Sequence, residues 1–349
     1  MPPNTSLYCT QNTIGDGSGG GLVTHHELQA LTESSQEVLI RGGADMTPKH
    51  YEGLDIPFLQ DYFALASLNG HHIDLAHFYS GTFTATIQHL KQLGTKVTYT
   101  VPAHCREDTI KEVGEAYPYM HIKDEELWQV FSQGMREADL VIVPSSHSAG
   151  VLHGEGVESV EIIPHGTTIP KSTVELPAVF DVGYLGQVGP DKGLKYLIDA
   201  WSSLDYEDST LIMAGPGTDA LGHTIHRTTN GGRFHLRGFV ESPSELYNDC
   251  SVYIQPSVTE GFGIEVLEAM AHGRPVIVTE GVGAKDLVKD GKNGFIVPIR
   301  DPKTIAFRID LLKNNPQLLK AMGKAARDTS ESYSWDRIRA KYRDVFSSV

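Results

Sequence analysis

Two carboxylates, Glu260 and Glu268, flank the run Gly261-Phe262-Gly263-Ile264. The run follows an apolar stretch, Val252-Tyr253-Ile254, and the corner Gln255-Pro256-Ser257. It leads through Gly273-Arg274-Pro275 to a second apolar stretch, Val276-Ile277-Val278. This order spells strand, turn, helix, turn, strand, with the helix opening at Gly263. A helix start presents unpaired N–H groups and a partial positive charge, and glycines let a ligand approach that backbone closely. A carboxylate accepts two hydrogen bonds from a vicinal diol. The segment therefore suits a phosphate with hydroxyl-bearing groups on either side. Taken alone, Glu260 reads as a turn carboxylate or cap, and the stripe Glu265, Glu268, His272 as a solvated helix face. The apolar strand ahead and the Gly-Phe-Gly between the acids favour a binding site.

Three other places carry candidate chemistry. In the stretch from Gly183 to Leu194 a strand ends in glycines and Lys192 opens a helix. A lysine in a first helical turn opposes the helix dipole, and an anion beside it removes that penalty. No Gly-Lys-Ser/Thr follows, so this is not a Walker A loop. The glycines at 15–21 precede a helix expected at Leu22–Leu31 and contain a formal G-x-G-x-x-G at Gly15, Gly17 and Gly20. The strand ahead is short and polar, and the second strand ends in Arg41-Gly42-Gly43 rather than an acid. Both features argue against an adenine dinucleotide and leave a glycine loop whose N–H groups reach a diphosphate. His104 lies beyond the strand Lys96–Val101, and His25 and His26 lie in the first turn after the glycine loop. A lone histidine is more often structural than catalytic. There is no Ser-His-Asp spacing and no His-Glu-x-x-His.

These residues need a scaffold, and the chain supplies alternating short apolar runs and amphipathic stretches. That alternation predicts an α/β protein with parallel sheets. Strands are expected at Leu7–Thr10, Val38–Arg41, Ile73–Phe78, Lys96–Val101, Leu140–Pro144 and Val160–Pro164. A second set is expected at Val182–Leu185, Leu211–Ala214, His235–Arg237, Val252–Gln255, Val276–Val278 and Phe295–Val297. Helical patterns lie between, at Phe83–Leu93 and Glu125–Ala138 among others, and after Lys192, Asp219, Ser242, Gly263 and Asp301. Each half reads as a doubly wound sheet. Residues 1–168 and 178–334 are the expected domains, joined by a proline-bearing linker at 169–177, with a final helix at 335–349. Ligands of such sheets bind beyond the carboxyl ends of the strands, so the chemistry is expected in a cleft between the two.

The totals bound the function. With 349 residues and 40% apolar content, each half can bury a core. No run approaches the roughly 18 apolar residues of a membrane span. The N-terminus lacks the basic and apolar regions of a signal peptide, and Cys9, Cys105 and Cys250 match no zinc spacing. A reducing cytoplasm is the expected compartment. The chain's net charge is −15, and 8 Lys and Arg against 21 Asp and Glu before residue 171 put −13 of it in the first half. That half repels nucleic acid and anionic lipid, which favours a soluble or neutral partner.

Together these motifs resemble the retaining glycosyltransferases of the GT-B fold, family 4. Glu260…Glu268 is similar to the family's E-x7-E. Gly186…Asp191-Lys192-Gly193 is similar to G-R…E-K-G, and Ala214-Gly215-Pro216-Gly217 to A-G-x-G. Asp290-Gly291-Lys292-Asn293-Gly294-Phe295 is similar to D-G-x-x-G-x-x-V, and Gly238-Phe239-Val240 to the segment beside the nucleotide base. Gly20-Gly21 with His25 is similar to a G-G-x-x-x-H loop, and Ile162–Gly166 to I-P-N-G. The second half carries the stronger likeness, as expected if the first half binds a variable acceptor. The resemblance implies two Rossmann-like domains facing a deep cleft. It implies transfer of a hexose from a UDP- or GDP-linked sugar to an acceptor hydroxyl, with neither a metal nor a cofactor beyond the nucleotide-sugar co-substrate. Glu260 and the N–H groups of Gly261, Phe262 and Gly263 would hold the sugar, Ile264 N–H the diphosphate and Glu268 the ribose. Lys192 would neutralise the departing diphosphate, and His104 would sit by the reacting centre. Gly20 and Gly21 would close on the phosphates, with His25 beside them. Gly215, Gly238, Phe239 and Val240 would line the nucleotide, and the last helix would return to the first domain. Gln187 stands where the family usually has Arg, so the cationic fork is lost there and Lys192 bears more of the charge. The alternatives are a nucleotide-sugar epimerase, a nicotinamide oxidoreductase using the 15–21 glycines, and a sugar-nucleotide binder without turnover.

Overall fold

The structure is a computed structural model that describes residues 5–10, 19–42, 64, 68, 71–80, 83–101, 132–172, 175–222 and 233–349. The chain divides into two compact units. One holds the described residues up to Val101, residues 132–165 and Trp335–Val349; the other holds Gly166–Ser334.

In the first unit the elements are β1 (Thr5–Thr10), α1 (Gly19–Ser34), β2 (Glu37–Gly42), β3 (Leu75–Tyr79), α2 (Thr84–Gln92), β4 (Lys96–Thr100), β5 (Leu140–Val143), α3 (Ser146–Gly154) and β6 (Val160–Ile162). The sheet order is β2-β1-β3-β4-β5-β6, with every pairing parallel. The central strands are buried on both faces, which is why they read as continuous apolar runs.

In the second unit the elements are β7 (Val182–Leu185), α4 (Leu194–Ser202), β8 (Thr210–Ala214), β9 (Arg233–Gly238), α5 (Pro243–Asp249), β10 (Val252–Gln255), α6 (Ile264–Ala271), β11 (Val276–Thr279), β12 (Gly294–Val297), α7 (Pro302–Lys313) and α8 (Pro316–Ser330). The order β12-β11-β10-β7-β8-β9 is again all parallel. Strand order reverses between β7 and β10, and that reversal is where the helices change faces and a crevice opens. The last helix, α9 (Trp335–Ser348), packs on α1 in the first unit. Its Trp335 stacks on His26 with ring centroids 4.2 Å apart. Arg339 and Arg343 bond Gln29 and Glu33.

Four local features differ from the sequence expectation. Helix α1 begins at Gly19 rather than Leu22, so Gly20 and Gly21 lie in its first turn and His25 and His26 in its second. Lys192 ends a short 3-10 turn, Pro190–Lys192, ahead of α4 instead of opening that helix. The helical pattern after Asp301 is two helices, because Pro316 lacks an N–H and has its φ preset for a first turn, so it opens α8. The unit boundary falls between His165 and Gly166, and the following segment is tied to the second unit. Thr167 N–H donates to Tyr333 O at 2.9 Å, and Arg327 donates to Pro170 O at 2.6 Å. Half of the helix expected at Glu125–Ala138, and most of the one after Asp219, lie outside the described residues.

Candidate functional site

The site builds on the loops leaving β7 and β10, the two strands flanking the order reversal. From β7 the chain runs through Gly186 to the turn at Pro190–Lys192. Asp191 O accepts from Val258 N–H at 2.8 Å, which pins that turn to the loop leaving β10. Gly193 adopts φ 64°, and a Cβ there would lie 2.0 Å from Pro256 O, so only glycine permits this approach. The result brings Lys192 Nζ onto Glu260 Oε2 as a hydrogen-bonded ion pair, with Asp191 Oδ2 a further 3.5 Å contact. Both members of the pair keep about a fifth of their side-chain surface exposed, so a ligand can reach them. Burial pulls the Lys192 ammonium down, but the Glu260 charge and hydrogen bond outweigh it and hold its pKa above the usual lysine value. The lysine is a fixed cation, and the anion that relieves it is a carboxylate of the protein itself.

The acidic side is equally fixed. Glu260 N–H donates to Gly281 O (2.9 Å), Gly283 N–H donates to Glu260 O (3.0 Å) and Ala284 N–H donates to Phe262 O (2.7 Å). Phe262 is buried in the core below. Gly263, at φ 85°, turns the chain into α6. Val266 N–H is used by Gly263 O at 3.1 Å. The N–H groups of Ile264 and Glu265 remain at the helix end.

Glu268 lies one turn on. Tyr247 Oη donates to its Oε2 at 2.7 Å, which leaves Oε1 for another partner. Burial raises its pKa, and the tyrosine bond opposes that rise. Tyr247 is held in turn by Arg274, a fully buried guanidinium whose Nε donates to Tyr247 O at 2.6 Å and whose other nitrogens donate to Glu175 O. Burial lowers the Arg274 pKa. His272 Nδ1 pairs with Glu268 O (2.8 Å) and Nε2 with Ser244 Oγ (3.1 Å). Thr167, Pro170, Ser244, Tyr247, Glu268 and His272 help line a cavity of about 420 Å³.

Other expected residues fall around this centre. Gly215 N–H donates to Gly238 O at 2.7 Å, so these two glycines meet at the ends of β8 and β9. Phe239, next in the chain, is 73% exposed and Val240 is half-buried. Gln187 is exposed, and its carbonyl accepts from Tyr184 Oη at 3.1 Å. His25 is exposed on α1, edge-on to His26 at 5.1 Å. His104 lies outside the described residues, as do Gly15 and Gly17. The sequence reading gave Tyr247 and Arg274 no role and placed His272 on a solvated face. Arg274 had a signal: an arginine in a Gly-Arg-Pro turn between a buried helix and a buried strand must find carbonyl partners. Glu265 was read as part of a solvated face; it is half-buried.

Among the described residues no helix is long and apolar enough to cross a membrane. Among solved structures, sucrose-phosphate synthase from Thermosynechococcus elongatus superposes over 99% of this chain and 100% of its own with TM-score 0.79 and 18% identity. HepE from Anabaena, in complex with UDP and glucose, does so over the same shares with TM-score 0.76 and 18% identity. The fold is thus GT-B, with two Rossmann-like units. In sequence, the D-inositol 3-phosphate glycosyltransferase of Streptomyces bingchenggensis is 30% identical over 181 residues, 48% of this chain and 40% of that protein. The capsular polysaccharide biosynthesis glycosyltransferase CapM of Staphylococcus aureus is 31% identical over 176 residues, 47% of this chain and 46% of that protein. The chain spans less than half the length of these curated relatives. Residues 167–329, which hold Lys192, Glu260, Glu265, Glu268 and their supporting side chains, match the sequence model of the family described as Glycosyl transferases group 1.

Proposed function

We propose that this protein is a retaining glycosyltransferase that moves a hexose from a nucleoside-diphosphate sugar, UDP- or GDP-linked, to an acceptor hydroxyl. The observation that carries the reading is the Lys192–Glu260 pair at the strand-order reversal, beside the start of α6. A cation, a helix end and two carboxylates, one on the loop before the helix and one in its second turn, match the parts of such a donor. The diphosphate takes Lys192 and the Ile264 N–H, and the ribose diol takes Oε1 of Glu268. Gly261, Phe262 and Gly263 with Glu260 take the sugar hydroxyls. The exposed ring of Phe239, with Val240, Gly215 and Gly238, offers a face to the base. The complex of HepE with UDP and glucose supports a uridine donor.

In this reading the bond between the sugar's anomeric carbon and the leaving diphosphate oxygen breaks, giving an oxocarbenium-like centre. The acceptor oxygen bonds the same face, and its proton passes to the departing phosphate oxygen. No protein nucleophile is needed. Lys192 and the α6 end stabilise the charge that develops on the diphosphate, which is the role otherwise given to a metal ion. On arrival the donor takes Lys192 from Glu260, and the released carboxylate turns to the sugar. Gly20 and Gly21 close on the phosphates, with His25 beside them as a candidate acceptor contact and His104 by the reacting centre, and residues 1–168 and 178–334 serve as acceptor and donor domains of a cytoplasmic enzyme.

A thermal-shift panel of UDP, GDP, ADP, dTDP and NAD(P) tests this. A ligand at about 100 times its dissociation constant stabilises by about 2.7 kcal/mol. A response to one nucleoside diphosphate fixes the donor class, and a response to NAD(P) alone refutes the reading. Sugar release from the donor that requires an added acceptor separates transfer from epimerisation and from silent binding.

A further inference from the structure

Helix α5 carries the tyrosine that orients Glu268, and it is short. With seven residues, Pro243–Asp249, it gains little from its own hydrogen bonds, so its place is set by outside partners. Its last carbonyls need donors from beyond the helix. Arg274, in the turn between α6 and β11, supplies them. Nε donates to Tyr247 O at 2.6 Å, and Nη2 lies 3.5 Å from Asn248 O. Nη1 and Nη2 also reach Glu175 O, ahead of β7, at 3.4 and 3.3 Å. The guanidinium is fully buried. One planar fork thus ties the end of α5 to a second segment of the same unit. The start of α5 is tied too, since His272 Nε2 pairs with Ser244 Oγ at 3.1 Å.

Tyr247 sits between these two ties. Its buried ring lies 5.0 Å from that of His272 and 5.7 Å from that of Tyr253 on β10, which leaves the ring no room to turn. Its hydroxyl therefore moves only as α5 moves. That hydroxyl donates to Glu268 Oε2 at 2.7 Å and leaves Oε1 for the ligand. A displacement of α5 by about 1 Å stretches this contact beyond hydrogen-bond range and frees the carboxylate to turn. Arg274 does not line the cavity beside Glu268, so it acts on that site only through what it holds. We propose that Arg274 is a positioning residue for the nucleotide's ribose: it fixes the end of α5, thereby Tyr247, and thereby the orientation of Glu268 that meets the ribose diol. The inference rests on the ribose position given under the proposed function. Lysine cannot replace Arg274, because a single ammonium has no planar fork to span carbonyls from two segments. Loosening Glu268 weakens only a ligand that carries the hydroxyl it holds, whereas a general loss of stability weakens every ligand alike.

The test is isothermal titration with UDP and its 2′-deoxy form, and with the same guanosine pair. The proteins are wild type, Arg274→Lys, Tyr247→Phe and the double variant. Wild type is expected to prefer the ribonucleotide by about tenfold or more, the worth of a hydroxyl bonded to a carboxylate. Arg274→Lys is expected to lower ribonucleotide affinity by about two- to tenfold and to leave the deoxynucleotide within about twofold, so the preference shrinks. In the Tyr247→Phe background Arg274→Lys should shrink it no further, since both act on one bond. An unchanged preference in Arg274→Lys, equal weakening of both nucleotides, or losses that add in the double variant overturn the inference and leave the functional reading standing. Wild type that binds no nucleotide overturns the functional reading and the inference with it. Wild type that binds ribo- and deoxynucleotide equally overturns the ribose assignment, and the inference again falls. A readout that needs no variant is hydrogen exchange of wild type saturated with either form. The ribonucleotide is expected to slow exchange in α5 and around Glu175 more than the deoxynucleotide does, because those segments meet through Arg274. Equal protection by the two overturns the proposal.

Discussion

Each unit sets an acid and a base across the two strands flanking its strand-order reversal, and burial sends the two pairs to different ends. In the first unit Tyr8 on β1 and His77 on β3 are register partners in mid-strand. Glu27 of α1 comes down on them: Tyr8 Oη donates to Glu27 Oε2 at 3.0 Å, and His77 Nε2 lies 3.4 Å from that oxygen. Neither Glu27 nor His77 has any exposed side-chain surface. Helix α9 seals the face, with Phe346 edge-on to His77 at 4.8 Å. In the second unit Lys192 and Glu260 sit beyond the strand ends, on loops, with their charged tips reachable. A sealed acid–base contact can only fix a packing arrangement, whereas an open ion pair can exchange its partner for a ligand. The lesson is that residue type marks candidates and position along the strand decides between them.

The comparison can be broken at either pair. The largest expected effect is on the sealed one. His77→Ala empties the fully buried space between Glu27, Tyr8 and Phe346 and should cost about 2–5 kcal/mol of stability, read by chemical denaturation, with UDP affinity of the folded protein unchanged. A near-neutral outcome would make the sealed pair dispensable and remove the contrast. At the open pair, Lys192→Ala should lower turnover by about 10²–10³, the cost of losing one preorganised charge stabiliser. Its stability should move by no more than about 1 kcal/mol, because the pair is partly solvated. Gln187→Ala should lose far less turnover, and comparable losses from the two would overturn that division of labour. Glu268→Ala should weaken nucleotide binding by about 1.5–3 kcal/mol while Glu260→Ala mainly impairs transfer, and unchanged kinetics in both would sink the assignment. Tyr247→Phe, which removes only the bond that orients Glu268, should weaken nucleotide binding by about 0.5–1.5 kcal/mol.

The smallest effect is a slope. With no ligand present, the raised Glu265 pKa contributes stability that is full below the unfolded value of 4.5 and is lost as pH rises towards about 7. His26 and His165, both pushed down to about 4 by burial, work the other way, losing stability as pH falls from 6.5 through that value. Only the difference between wild type and Glu265→Gln isolates the carboxylate. The variant's melting temperature should fall less across that window, and equal slopes would show that Glu265 does not titrate there.

Much of this architecture was legible because parallel strands buried on both faces are written as uninterrupted apolar runs. All twelve strands in the two sheets overlap the expected segments, with ends displaced by a residue or two. The Glu260–Glu268 helix and its glycine hinge were legible for the same reason, since strand, turn and helix succeed one another without ambiguity. What escaped was long-range. Nothing local in Lys192 reveals that Val258 N–H anchors its turn, so its carboxylate partner, 68 residues on, was invisible. The same holds for Arg274, whose carbonyl acceptors at Glu175 and Tyr247 lie far along the chain. Glu265 was misread because helical periodicity puts it on the polar stripe with Glu268 and His272, whereas it is half-buried.

The return of α9 has a consequence for how the protein is made. Among the described residues the second unit is one continuous stretch, Gly166–Ser334, and all its strands are made before Trp335–Ser348. The first unit lacks the lid over Tyr8, Glu27 and His77 until Trp335–Ser348 has emerged. The later-encoded half therefore matures first, and the half translated first waits, with a polar interior open to water, for its closing helix. Nascent chains arrested shortly before Trp335 should hold a protease-resistant second unit and a cleavable first one.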